Sequence, residues 1–221
     1  MSPNFFSSLK TPVNFYIIRH GQSEGNAAKI LQGREEYPLS ETGRLQAAEL
    51  GRSLKTIIAG SGRTLLFSSP MSRARETAEI ISREASIPEP VCMNELIEMS
   101  LGIWSGKSMS QVKKEDPEHW ESFMTQSWDA IPEAESSSSL YSRSLLAWAA
   151  LRDAAVEYNA DKVIAITHGG LIQWLLKTSF RNHSWFPLFP SSNCGLYKLF
   201  VEPKKHGVYM CWEEINSAIS L

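Results

Sequence analysis

Two short apolar runs in this chain end in the same way. Phe15-Tyr16-Ile17-Ile18-Arg19-His20-Gly21 and Val163-Ile164-Ala165-Ile166-Thr167-His168-Gly169-Gly170 each pass from aliphatic or aromatic residues to a histidine and a glycine. Short apolar runs bounded by turn formers read as buried strands, so strands are predicted over Val13 to Ile18 and Lys162 to Thr167. A third run, Thr64 to Phe67, ends in Ser68-Ser69-Pro70. Val91 to Met93 is a fourth, and Leu196 to Val201 and Val208 to Trp212 are closing strands.

Helical patterns separate these runs. Ser40 or Thr42 is a suitable N-cap for a helix ending near Ile58, with Gly60 and Gly62 beyond it. Further helices are predicted from Ser72 to Ala85, Ser139 to Tyr158 and His168 to Thr178. The third of these four places Leu140, Leu145, Trp148, Leu151 and Ala155 on one side. Strand alternating with helix implies an α/β fold, a three-layer α/β/α sandwich around a mainly parallel sheet. Residues 98–139 break the rhythm and hold Trp104, Trp120 and Trp128. They are read as an insertion over the carboxyl edge of the strands, within a single domain spanning 1–221. The three tryptophans are expected in its core, with room for some of them at the pocket.

The whole-chain charge of -2 gives no reason to expect nucleic acid or an anionic membrane surface as partner. No apolar run approaches the roughly 20 residues needed to span a bilayer, and the first 14 residues lack the apolar block of a signal peptide. The three cysteines are widely spaced and odd in number, which favours reduced thiols and a cytoplasmic setting.

In open α/β sheets ligands bind at the carboxyl ends of the strands. There this sequence places Arg19, His20, His168 and the segment Ser69-Pro70-Met71-Ser72-Arg73-Ala74-Arg75. Two imidazoles and at least two guanidinium forks suit a tetrahedral dianion. The start of the Gly169-Gly170 helix is expected to add free backbone N–H groups. Arg75, two positions beyond Arg73, is expected to face elsewhere in a salt bridge. His119, His183 and His206 are expected to be solvated or structural.

Arg19-His20-Gly21, Ser69-Pro70-Met71-Ser72-Arg73-Ala74 and His168-Gly169-Gly170 resemble the three core motifs of the histidine phosphatase superfamily, the phosphoglycerate-mutase-like enzymes. Leu96 to Gly106 is similar to the segment bearing that family's catalytic acid, at Glu98. Ala134-Glu135-Ser136 stands where Gly-Glu-Ser is frequent. The resemblance implies attack by His20 on phosphorus and release of the phosphohistidine by water. Arg19, Arg73 and His168 would hold the phosphoryl oxygens, and Glu98 would give and then take a proton. The match implies contacts to the phosphoryl group or leaving oxygen from Asn26, Gln32 and the backbone of Gly33, with Gly169 also at the site. A small phosphomonoester or inorganic phosphate is the expected ligand, with no cofactor and no metal.

The competing activity is a cofactor-dependent phosphoglycerate mutase, which needs further cations for a second phosphate. Residues 115–142 contain no arginine, so net hydrolysis is favoured, and Lys107 alone keeps the mutase alternative open. A binding protein without turnover is the third reading.

Overall fold

The run from Val13 to Arg19 forms β1, and its side chains divide between two cores. Phe15 and Ile17 pack with Trp148, Leu151, Leu171 and Leu175, while Tyr16 and Ile18 pack with Leu50, Leu54, Ala78 and Ile81. Successive residues of a strand point to opposite faces, so one apolar run anchors both helical layers. The molecule was analysed as a computed structural model that describes residues 1–2, 4–60 and 62–217.

After β1 come α1 (Glu24–Ala27), α2 (Glu41–Ile57), β2 (Thr64–Ser68), α3 (Ser72–Ala85) and β3 (Val91–Cys92). Then follow α4 (Met109–Glu115), α5 (Pro117–Thr125), α6 (Ser137–Glu157), β4 (Lys162–Thr167), α7 (Gly169–Ser179), β5 (Leu196–Lys204) and β6 (Gly207–Ser217). The sheet order is β3-β2-β4-β1-β5-β6. Strands β1, β2, β3 and β4 pair in parallel, and β5 and β6 close one side antiparallel. This is the expected α/β architecture, with α2 and α3 on one face and α6 and α7 on the other.

Register sets the site. Arg19 pairs with Thr167 and Ser68 pairs with Ile166. The His20 N–H donates to Thr167 O at 2.9 Å, and the Ser69 N–H donates to Ile166 O at 2.9 Å. His20, Ser69 and His168 therefore leave the sheet together at one edge. The loop after β1 packs onto the first turn of α2, where a Cβ on Gly43 would stand 2.0 Å from the Gln22 carbonyl oxygen. Only glycine permits that approach.

Three boundaries differ from the sequence reading by two residues or more. Helix α6 begins at Ser137, because the Ser136 hydroxyl accepts the Ser139 N–H and caps it. Strands β5 and β6 run three and five residues further than their patterns suggested, to Lys204 and Ser217. There the ladder continues through polar residues that carry no alternation signal. Trp104, Trp128 and Trp185 form a separate aromatic core with Trp174 and Leu140. Among the described residues, no helix is long and apolar enough to cross a membrane.

Candidate active site

A cleft of about 780 Å³ opens over the carboxyl edge of the parallel strands. Arg19, His20, Asn26, Gln32, Gly33, Arg73, Glu98 and Gly169 all line it. His168 lies fully buried just below, its ring 5.1 Å from that of His20. The residues that the sequence brought forward thus meet in one place, from four strand ends and the loops that follow.

His20 is 2% exposed, and its Nδ1 lies 2.7 Å from the Gly21 carbonyl oxygen. A carbonyl only accepts, so Nδ1 carries the proton and Nε2 keeps its lone pair. Burial, then the Arg19 and Arg73 charges, hold this imidazole well below the ordinary histidine range. His168 is held low in the same way, by burial first and then by His20, Arg73 and Arg19. Its Nε2 meets the Ser69 hydroxyl at 2.8 Å. Both imidazoles are therefore neutral at pH 7.

Arg73, 1% exposed, rises from the first turn of α3. Its two terminal nitrogens donate to Glu35 O and Gly33 O at 2.8 Å each, so Gly33 contributes its carbonyl to holding the guanidinium. Arg19 donates to the Ser191 carbonyl. Three buried polar atoms in this cradle have no partner within the protein: Arg19 Nε, Arg73 Nε and His168 Nδ1. Buried polar groups are usually paired. Guanidinium donors converging from two sides, with an imidazole beneath, fit the oxygens of a bound tetrahedral anion.

Asn26 is fixed by a capping box at the start of α1. Its Oδ1 accepts from the Ser23 N–H and from Asn193 Nδ2, both at 3.1 Å, which leaves its amide N–H₂ as the donor toward the cleft. Gln32 is oriented similarly, with Oε1 taking the Ser23 hydroxyl at 2.7 Å.

Glu98 lies at the cleft against the head of α7. The Gly170 and Leu171 N–H groups at the head of α7 donate to its two oxygens at 3.2 and 3.1 Å, and Met99 N–H adds a third bond at 2.8 Å. The Gly170 N–H that the sequence assigned to the bound anion is thus taken by the Glu98 carboxyl group. A Cβ on Gly170 would stand 2.5 Å from Glu98 Oε1, so glycine leaves the room that this carboxylate occupies. Glu95, the competing carboxylate, is not at the cleft.

Sequence reasoning missed what holds Glu98. Glu135 takes a two-point bond from Arg143, at 2.8 and 2.9 Å, and a third bond from Arg34 at 2.9 Å. Arg143 also donates to the Ile97 carbonyl at 2.6 Å, and Arg34 to the Glu98 carbonyl at 2.9 Å. Burial opposes the Glu135 charge, but Arg143 and Arg34 hold its carboxyl below the usual range. It also missed the segment containing Trp185, Leu188, Phe189 and Ser191, which forms a wall of the cleft.

Other residues are structural. Arg75 faces away and pairs with Glu79 at 3.7 Å. Lys107 pairs with Glu115 at 3.3 Å and does not line the cleft. Trp104, Trp120 and Trp128 lie off the cleft as well, whereas Trp185 lines it. His119 bonds Asp116 at 2.6 Å, and His183 stacks on Tyr141. Among the described residues, no three of His, Cys, Asp and Glu converge as metal ligands.

The two neutral imidazoles have a consequence for stability. Their folded pKa values lie below the unfolded value of about 6.5. Below that pH the unfolded chain takes up protons that the folded chain resists, so stability falls as pH falls. The slope is expected to approach about 1.4 kcal/mol per pH unit for each imidazole that stays neutral in the folded chain. Urea unfolding at several pH values measures it; a flat profile would mean that the two rings titrate normally.

A sheet edge that gathers Arg19, His20 and Arg73 at one cleft, with His168 buried beneath, defines a class of α/β site with the charge and donors to meet a tetrahedral dianion. The chain belongs to the histidine phosphatase superfamily, branch 1, whose family model matches residues 15–212. It is 27% identical over 186 residues to phosphoglycerate mutase-like protein 4 of Arabidopsis thaliana, covering 83% of this chain and 78% of that protein. It is 30% identical over 163 residues to a metal-independent phosphoserine phosphatase of the same plant, covering 71% of this chain and 64% of that protein. A solved mycobacterial glucosyl-3-phosphoglycerate phosphatase shares the fold, with a TM-score of 0.78 at 23% identity, over 93% of this chain and 99% of that one.

Proposed function

We propose that this protein hydrolyses phosphomonoesters without a metal, through a phosphohistidine on His20. The observation that carries this reading is the state of His20: Nδ1–H is tied to Gly21 O, so Nε2 is a neutral nucleophile beside the partnerless nitrogens of Arg19, Arg73 and His168. Nε2 attacks phosphorus as the bond to the leaving oxygen breaks, and Glu98 gives that oxygen its proton. Water then attacks the phosphohistidine, the P–N bond breaks, and Glu98 takes a proton from the water. Inorganic phosphate leaves and His20 returns to its neutral form. Charge on the transferring group is met by guanidinium forks fixed in advance, which avoids reorganisation in the transition state.

The single-domain reading of 1–221, with 98–139 covering the site, belongs to the same proposal. Its support is that Met99, Leu101 and Met109 line the cleft beside Glu98. Phosphatase names among the relatives support hydrolysis. So does the poverty of cations beyond the phosphoryl cradle, with Lys107 engaged by Glu115. Incubation with 3-phosphoglycerate and a trace of 2,3-bisphosphoglycerate, with and without EDTA, is the test. Chelator-insensitive phosphate release is expected; isomerisation without release would overturn the proposal in favour of a mutase.

Glu135 acts at one remove, as a positioning residue. Glu135→Gln is expected to lower kcat about tenfold to a hundredfold with little change in KM, because a displacement near 1 Å is that costly to a proton transfer. The loss should be largest for alkyl esters, which need a protonated leaving group. Equal losses for alkyl and 4-nitrophenyl esters in the step that forms the phosphoenzyme, read from the burst, would show that Glu135 does not act through Glu98.

A further inference from the structure

We propose, resting on the hydrolase reading above, that the leaving group this cleft accepts is bulky, apolar and uncharged: the substrate is a phosphomonoester of a long-chain or aromatic alcohol. Two observations carry this. The first is the distribution of charge. Arg19 and Arg73 converge on the phosphoryl position, and Lys29, at the rim, is the one other lysine or arginine among the described residues lining the cleft. A substrate bearing a second phosphate or a carboxylate would meet one exposed ammonium there.

The second is the apolar lining. Ile30, Leu31 and Met109 line the cleft from two segments joined at the Ile30–Ser108 bridge, and Trp185, Leu188 and Phe189 line it as a second wall from the chain after α7. Met109 is 51% exposed and Leu188 46% exposed. Large apolar side chains held open to solvent in a cleft mark a surface for an apolar ligand.

The second wall is also held in place by unusual means. Gln173 of α7 exchanges two hydrogen bonds with the Phe189 backbone, accepting its N–H at 2.8 Å and donating to its carbonyl. Lys177, fully buried one turn further on, donates to the carbonyls of Trp185 and Pro187 at 2.6 and 2.7 Å. Lys177 Nζ also lies over the Trp174 and Phe189 rings at 5.9 and 5.8 Å; a buried ammonium held by carbonyls and rings is costly, and here it fixes the segment that presents Trp185, Leu188 and Phe189. A wall ordered before binding loses little entropy when the ligand arrives.

An alkyl series separates this from the hydrolase reading, since ethyl and octyl phosphate share the same phosphoryl chemistry and nearly the same leaving-group acidity. Each fully buried methylene contributes about fourfold. With the full chain and octyl phosphate below its micelle concentration, kcat/KM is expected to rise at least about tenfold from ethyl to octyl, partial burial allowed for. Octyl phosphonate should bind at least about tenfold tighter than ethyl phosphonate by calorimetry. Leu188→Lys, at an exposed position, should reduce the octyl-to-ethyl ratio several-fold. A flat series in both measurements, or 3-phosphoglycerate as the best substrate, would overturn the apolar leaving group while leaving hydrolysis standing. Chain-length-dependent phosphonate binding with no hydrolysis of any ester would support the apolar pocket and overturn the hydrolase reading.

Discussion

His20→Ala is expected to lower kcat for every phosphomonoester by about 10⁴-fold or more, the usual scale for removing a covalent nucleophile. The variant should remain folded. The His20 ring makes one local hydrogen bond, to its neighbour Gly21, and borders an open cleft rather than the sealed core. Arg19, Arg73 and His168 keep their positions through Ser191, the 33–35 loop and Ser69. Phosphate should therefore still bind to the inactive variant. Deleting His20 also removes one of the two depressed imidazoles, so the acid-side loss of stability should be smaller than that of the parent. Phosphate release by the variant within tenfold of the parent would exclude His20 as the nucleophile.

Glu98→Gln is expected to cost about 10²- to 10⁴-fold in kcat for alkyl esters, the range for general acid–base catalysis. Glutamine preserves the shape of the side chain and accepts through one oxygen. It cannot accept through both, so one of the bonds from Gly170 or Leu171 is lost. With 4-nitrophenyl phosphate, whose leaving oxygen needs no proton, formation of the phosphoenzyme should be nearly normal and its hydrolysis slow. A burst of nitrophenol followed by a slow steady state is the expected trace. An equal loss in both steps for both esters would show that Glu98 serves the cleft by position alone.

These expectations rest on parts of the chain that were legible to different degrees. The parallel strands were readable because burial on both faces leaves unbroken apolar runs, and their ends placed Arg19, His20, Arg73 and His168 at one edge. The helix-capping role of Glu98 was not readable. Glycine pairs at a helix start suggest open N–H groups, and only the fold brings a carboxylate from 72 residues away to Gly170. The bracing of Glu98 was hidden for the same reason, since Arg34 and Glu135 lie 101 positions apart. The 185–191 wall carries neither helical nor strand periodicity. It is ordered by hydrogen bonds from Gln173 and Lys177 to its backbone, and these depend on conformation rather than on residue type. Glu135 illustrates the intermediate case: a position noted for its neighbours in sequence, whose partners became visible only in three dimensions.

The most direct test of covalent transfer is to trap the enzyme during turnover. The full chain is mixed with a ³²P-labelled aryl phosphate, quenched in alkali, digested, and the labelled peptide sequenced by mass spectrometry. An alkali-stable, acid-labile label on the peptide containing His20, absent in His20→Ala and more abundant in Glu98→Gln, is the expected result. Full turnover with no label on His20 under any quench, or a label on another residue, would contradict the mechanism.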